Sequence, residues 1–168
     1  MIRVIRGVLV ASVALLAVGS TTAVRAFAGE EEGENAPGLL PQVATAKVSL
    51  EQGLAAAEAS GKPLSGKLSV YTTKDGKYYE VIVDHETGAV SKTEEITGAD
   101  DLKAAKRQNH AMAKAKTSLR QAVEKAVAAH PGSKAIRASA YMSRKGHVMA
   151  DIDIVVGGKA KEAPQRLD

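Results

Sequence analysis

An alternating stretch in the middle of the chain limits the possible folds more than any other feature. Residues 78–84 read Tyr-Tyr-Glu-Val-Ile-Val-Asp, and their side chains fall into two sets at a period of two. That period is typical of a β-strand with two different faces. Residues 84–88 then bring Asp and Gly together as a turn, and residues 89–90 begin a return strand. With residues 67–72 as an incoming strand and residues 73–76 as its turn, we predict a three-strand antiparallel meander.

Residues 1–28 are predicted to be a signal peptide that is cleaved between Ala28 and Gly29. A basic start precedes an apolar run at residues 7–19, and residues 26–28 have the small-x-small pattern of a cleavage site. The run is shorter than the roughly 20 apolar residues that a membrane-spanning helix needs. We therefore expect a protein exported to the periplasm or the medium, with no stable membrane insertion after cleavage; an uncleaved anchor is the alternative.

Removing this leader changes the charge of the chain. The sequence has 23 basic and 19 acidic residues, and the leader holds three of the arginines and no acid, so 20 basic and 19 acidic residues remain. A net charge of +1 and only five aromatic residues do not favour a nucleic-acid partner. The chain has no Cys, so its stability must come from packing of aliphatic side chains.

Four segments are expected after the leader: a tether, a first repeat, a linker helix and a second repeat. Residues 29–45, rich in Glu, Gly and Pro, are predicted to be a flexible acidic tether. Ser49 and Gln52 form a capping box that starts a helix, which Gly61 is expected to stop. Residues 98–114 are interpreted as a linker helix leading into the second half, and the last three residues as a tail.

The central helix is predicted to be long. Residues 100–129 contain no Gly or Pro, and one apolar stripe continues through them at helical spacing. A single helix is the first interpretation, and a kink or a second start at Ser118 is the alternative. A second meander follows, with strands expected at residues 135–142, 147–155 and 159–163.

The two halves of the chain repeat each other. The capping box at residues 49–52 recurs at residues 118–121, and Tyr71, Gly76 and Gly88 recur 70 residues later. We therefore predict an α+β fold of two α-β-β-β units, in which helices pack on antiparallel meander sheets. The first unit is residues 46–97 and the second is residues 115–168.

The second hairpin of the first unit resembles the typical ending of the PepSY domain family. Eight positions match that motif: Tyr79, Glu80, Val81, Val83, Asp84, Thr87, Gly88 and Val90. The second copy is degenerate, because Val155 replaces the usual Asp and no Thr precedes Gly158. The resemblance implies a non-catalytic domain, known from propeptides of thermolysin-like metalloproteases and from small exported bacterial proteins. It implies a protease-inhibiting or peptide-binding role, with motif residues that are mainly structural.

Two groups of polar residues are candidates for chemistry. Asp84, His85 and Glu86 lie together, but neighbouring residues diverge, so we interpret them as a turn rather than a metal site. Asp151 and Asp153 share one strand face and could serve hydrolysis, yet a solvated outer face is the preferred interpretation. We expect no catalytic residues, no metal and no cofactor.

The function predicted from these observations is that of an exported, non-catalytic binding module whose partner is a protease or an extended peptide. The last strands, residues 89–96 and 159–163, are expected at sheet edges, where an edge can accept an added strand. Val90 and Ile96 are expected to anchor a ligand at the first edge, and a proline at Lys92 to remove one edge donor. The alternative is a structural or sensory domain of the cell envelope without a protease partner.

Overall fold

The structure of this chain is a computed structural model that describes residues 45–168; the predicted signal peptide, its cleavage site at Ala28 and Gly29, and nearly all of the predicted tether lie outside the described residues. The described part is an α+β fold with three helices and one eight-stranded antiparallel sheet. The helices are α1 (Leu50–Ala57), α2 (Ala99–Met112) and α3 (Leu119–Ala128). The strands are β1 (Lys62–Gly66), β2 (Val70–Lys74), β3 (Lys77–Val83), β4 (Val90–Glu95), β5 (Lys134–Met142), β6 (Val148–Val156), β7 (Lys159–Glu162) and β8 (Gln165–Arg166).

The sheet joins both predicted meanders through a strand that the sequence did not predict. Its order is β4-β3-β2-β1-β5-β6-β7, and β8 pairs with β6 beyond the end of β7. The unpredicted strand, β1, contains Pro63 and Gly66, two residues that normally argue against a central strand. A register shift between Pro63 and Ser65 accommodates the proline, and Gly66 pairs with both β2 and β5. The two meanders therefore belong to one continuous sheet.

One face of the sheet carries α1 and α3, and the main core lies between them. Gly66 faces α1 so closely that an added Cβ would come within 3.0 Å of Leu54 and 3.2 Å of Leu50. The strand residues on this face alternate with the more exposed ones, as the pattern of β6 shows most clearly. Buried members of this face are Val70, Val81, Val83, Ala138, Ala140, Val148, Ala150, Ile152 and Ile154.

The opposite face carries α2, which buries Ala105, Ala111 and Met112 and is also attached to the sheet by polar contacts. Three hydrogen bonds join the helix to strand side chains: Tyr71 donates to Asp101 (3.0 Å), Asn109 donates to Tyr78 (3.3 Å), and Gln108 donates to Ser139 (3.1 Å). Burial and the neighbouring Asp101 carboxylate raise the pKa of Tyr71 far above its ordinary value, so the phenol stays protonated as a donor. The helix thus covers the polar side of β2 and β5.

The prediction of one long central helix is wrong, and the alternative start at Ser118 is observed. The Ser118 hydroxyl accepts from the Gln121 amide (3.2 Å), and the Gln121 side chain accepts from the Ser118 amide (3.1 Å). Just before this capping box, the amides of Lys116 and Thr117 both donate to the carbonyl of Leu167. These amides are taken by another part of the chain, so they cannot continue the helical ladder.

The last residues were predicted to be a tail, and this prediction is also wrong. Leu167 is fully buried, and its amide donates to the carbonyl of Val148 at 2.9 Å. Its carbonyl receives the two linker amides at 2.7 and 3.0 Å. The C-terminal residues therefore close the core and hold the connection between α2 and α3.

Candidate functional site

The motif residues of the β3–β4 hairpin mostly hold the hairpin together. Val81 and Val83 are buried in the core. The Asp84 carboxylate accepts hydrogen bonds from the Glu86 amide (3.0 Å), the Thr87 amide (2.7 Å) and the Thr87 hydroxyl (2.9 Å). These bonds, led by that of the Thr87 amide, lower the pKa of Asp84. The conformation of this turn explains why Asp and Thr stand three residues apart in the motif.

The other four motif residues differ in what they contribute to the hairpin. Gly88 has φ of 76°, in the left-handed region that favours glycine. The Glu80 carboxylate accepts from the Ser69 hydroxyl at 2.6 Å. Tyr79 is half-buried and pairs with Glu95, the last residue of β4, whereas Val90 is 40% exposed at the start of that strand. Val90 is therefore the motif residue that offers an apolar surface to a partner.

The three polar residues of this turn do not converge on a common point. Asp84 bonds its own turn, and Glu86 makes a long ion pair with Lys47, at 4.0 Å. His85 contributes its backbone, because its carbonyl accepts the amides of Lys47 (3.0 Å) and Val48 (3.1 Å). Within residues 45–168, no group of three or more His, Cys, Asp or Glu side chains is arranged to hold a metal ion.

Asp151 and Asp153 are both bound by one arginine that the sequence interpretation missed. Arg137 on β5 donates to Asp153 at 2.7 Å and to Asp151 at 2.8 Å. Burial disfavours the charged guanidinium, but the bond to Asp153 and the attraction of both carboxylates raise the pKa of Arg137. The side chain of Asp153 is only 14% exposed, so the predicted solvated outer face is wrong for this residue. Arg137 and these two carboxylates therefore form an ion-pair network that links β5 to β6.

The free edge of the sheet at β4 is the first candidate binding surface. All six residues of β4 are exposed, and β4 ends the strand order. Among the described residues, no strand pairs with β4 on its outer side. Val90 of β4 and Ile82 of the neighbouring β3 are 40% and 36% exposed, two of the four large apolar residues of the described sheet with such exposure. The edge can therefore offer backbone groups and a small apolar surface together.

The pairing of β4 with β3 shows which of its amides face outwards. The Ile96 amide donates to the Tyr78 carbonyl at 2.9 Å. Because successive amides of a strand alternate in direction, those of Lys92 and Glu94 point towards β3, and those of Thr93 and Glu95 point away from the sheet. A proline at Lys92 would break the internal ladder, so the position expected from the sequence is wrong and Thr93 is the correct one. Ile96 is only 8% exposed, so it does not serve as an anchor.

The opposite edge has a different character. There, β7 carries Lys159, Ala160, Lys161 and Glu162, all exposed, and it is only four residues long. The Ala163 amide donates to the Ile152 carbonyl at 2.7 Å, so by the same alternation the Ala160 and Glu162 amides point outwards. A short, charged edge discourages strand addition. No residue of β7 is large and apolar, although Val156 of the neighbouring β6 is 37% exposed.

A groove at one end of the sheet is the second candidate surface. It has a volume of about 440 Å³ and lies between the segment before α1, the β1–β2 turn, the end of β3 and the start of β5. Its inner wall contains the buried side chains of Leu50, Val70, Val83 and Ile136. We call it the α1 groove. Its size falls in the range of about 300–1,000 Å³ that is common for ligand pockets.

Comparisons with known proteins give no further guide to the site. No family model, no curated protein and no solved structure matches this chain. In the part of the chain that the structure describes, none of the helices combines the length and the apolar character needed to cross a membrane.

Proposed function

We propose that this chain is an exported, non-catalytic binding module that holds an extended peptide, or an extended segment of a protease, along the outer side of β4. The observation that carries this proposal is the β4 edge itself. Its residues are all exposed, its outer side is unpaired within residues 45–168, and Ile82 and Val90 supply apolar surface beside it.

Strand addition suits a chain with this composition. Backbone groups provide most of the affinity in this mode, and few specialised side chains are needed. The outward amides of Thr93 and Glu95 would donate to the carbonyls of a partner strand, and the carbonyls beside them would accept in return. The ion pairs of β4, Lys92 with Glu94 at 2.8 Å and Lys77 with Glu95 at 2.9 Å, lie on exposed side chains and leave its backbone accessible.

The likeness of the β3–β4 hairpin to the PepSY motif supports a protease as the partner. In this proposal the chain is a tandem of two PepSY-like α-β-β-β units, of which the second has lost part of the motif at Val155. The first unit would bind, because its edge is the longer of the two and a smaller fraction of its residues is charged. The second unit would complete the sheet and the core.

The experiment is a titration of secreted thermolysin-like metalloproteases with the purified protein and two proline variants. Thr93→Pro removes one outward donor from β4, and Ala160→Pro does the same at β7. Since one hydrogen bond contributes about 0.5–1.5 kcal/mol, we expect Thr93→Pro to weaken inhibition roughly twofold to twelvefold. Ala160→Pro is the matched control and should inhibit like the unaltered protein.

Two results would count against this function. If both variants fold and inhibit equally, the partner does not bind along β4. If the unaltered protein neither inhibits any of these proteases nor binds extended peptides at high micromolar concentration, the chain is not a peptide-binding module, and a structural role in the envelope is left.

A further inference from the structure

The α1 groove combines an apolar inner wall with a basic rim. Leu50, Val70 and Val83 are buried and form part of the wall. The rim has three lysines and one glutamate, namely Lys47, Lys67, Lys134 and Glu86. Lys47 lies 4.0 Å from that glutamate. The rim therefore has an excess of positive charge and favours an occupant that is both apolar and acidic.

The chain enters the described structure along a wall of this groove. Residues 45–49 all line it, and the amides of Lys47 and Val48 fix this wall by donating to the His85 carbonyl. The residue that begins the described part, Thr45, thus lies at the groove. Whatever precedes Thr45 starts its path there.

The segment that precedes Thr45 has the chemistry that the groove favours. Residues 29–44 contain four glutamates, at positions 30, 31, 32 and 34, and no lysine or arginine. Leu39 and Leu40 are adjacent in this segment, five or six residues before Thr45. An extended chain spans at most about 3.3–3.6 Å per residue, so five residues reach about 17 Å, enough to return into the groove.

We propose that the α1 groove is occupied by the chain's own residues 29–44, with Leu39 and Leu40 against the apolar wall and the four glutamates over the lysine rim. The tether predicted from the sequence is then an intramolecular ligand. Because it is covalently linked close to its site, its effective concentration is of millimolar order, so modest contacts are enough to keep the groove filled. This inference concerns a surface other than β4 and does not depend on the proposed peptide binding there.

The absence of Cys from the sequence permits a direct cross-linking test. In the otherwise unaltered chain, Gln42→Cys is combined with Leu68→Cys, because Leu68 lines the groove. The rate of intramolecular disulfide formation is then measured at low protein concentration. The parallel pair, Gln42→Cys with Ala55→Cys, places the second thiol on an exposed position of α1 outside the groove. We expect the groove pair to close at least tenfold faster.

A second set of variants tests whether the groove pair closes fast merely because the tether is attached nearby. These variants change the two leucines and keep the length of the tether. Leu39→Asp with Leu40→Asp should slow closure of the groove pair about tenfold, because charged side chains do not enter an apolar wall. Asn35→Asp with Ala36→Asp adds the same charge and keeps the leucines, so closure should stay fast. Lys134→Glu should slow closure, and more so at low salt.

Three outcomes would overturn the inference. Equal closure of the two thiol pairs would mean that the segment does not favour the groove. Closure that is unaffected by the Leu39 and Leu40 changes would mean that they are not the anchors. Cross-linked dimers whose yield rises with protein concentration would assign the groove to a second copy of the chain. None of these outcomes affects protease inhibition through β4, which is measured separately.

Discussion

At the scale of single residues, Gly88 shows how the motif hairpin depends on backbone conformation. Its φ is 76°, and a Cβ at this position would meet Val48 at 3.5 Å, an ordinary contact distance. Sterics with neighbours are thus minor, and the strain of a side chain in the left-handed region is the main cost.

We predict that Gly88→Val lowers the free energy of unfolding by about 1–3 kcal/mol, because a β-branched residue is strongly disfavoured at this φ. Gly88→Asn should cost clearly less, since Asn tolerates the left-handed region. Urea unfolding of both variants measures this. Equal costs for Val and Asn would mean that the conformation of the turn is not what requires glycine.

The turn carboxylate Asp84 gives a prediction about pH. Its pKa is lowered in the folded protein from an ordinary value of 3.8 by the Thr87 and Glu86 donors. A lowered folded pKa means that Asp84 contributes stability above the unfolded pKa, and that this contribution is lost as the pH falls through the folded pKa.

We therefore expect an NMR titration to place the Asp84 midpoint below 3.8, and Thr87→Val to move it upwards by removing the hydroxyl donor. An Asp84 midpoint that Thr87→Val leaves unchanged would contradict the assigned hydrogen bond.

At the scale of elements, the helix boundary at Ser118 can be tested with one substitution. A helix that starts at Ser118 and a helix that continues through it predict changes in stability of opposite sign. The capping box makes Ser118 the first residue before α3, so Ser118→Ala should destabilise the protein by about 0.5–2 kcal/mol. In a continuous helix the same change would stabilise it slightly, because Ala is the better interior residue. Thermal unfolding distinguishes them, and Ser49→Ala, in the equivalent box of α1, provides the matched comparison.

The C-terminal residues are expected to matter as much as any core element. Leu167 is fully buried, so Leu167→Ala should cost about 2–5 kcal/mol. The side chain of Arg166 is exposed and donates its hydrogen bonds to Asp168, while its backbone pairing with β6 would remain, so Arg166→Ala should stay within about 0.5 kcal/mol. Denaturant unfolding of both variants tests this difference. A small cost for Leu167→Ala would mean that the end of the chain does not close the core.

Local patterns predicted the elements that carry their own signals. The alternation in residues 78–84 and the capping box at Ser49 identified β3 and the start of α1 correctly. The capping box at Ser118 gave only the alternative to one long helix, and α3 follows that alternative. Elements that depend on distant partners were missed. The end of α2 was missed because the amides of the linker before Ser118 donate to the Leu167 carbonyl, about 50 residues away in sequence. The strand β1 was missed because it forms, despite Pro63, by pairing with β2 and β5.

At the scale of the whole molecule, the α+β class could be predicted, but the shape of the candidate site could not. The sequence placed an edge at residues 89–96, and the structure has β4 at the end of the sheet. The direction of each β4 amide depends on the pairing of β4 with β3. This pairing shows that a proline removes an outward amide at Thr93 and not at Lys92. The α1 groove is formed by four separate segments, and no local pattern can bring those together.

The central claim is that β4 accepts a partner strand, and residue-resolved hydrogen exchange tests it most directly. Exchange is measured with and without a saturating amount of an inhibited thermolysin-like metalloprotease. The account predicts at least tenfold slower exchange at the outward amides of Thr93 and Glu95, with the outward amides of Ala160 and Glu162 on β7 unchanged. Protection that is absent from Thr93 and Glu95, or that appears at β7 instead, would contradict it.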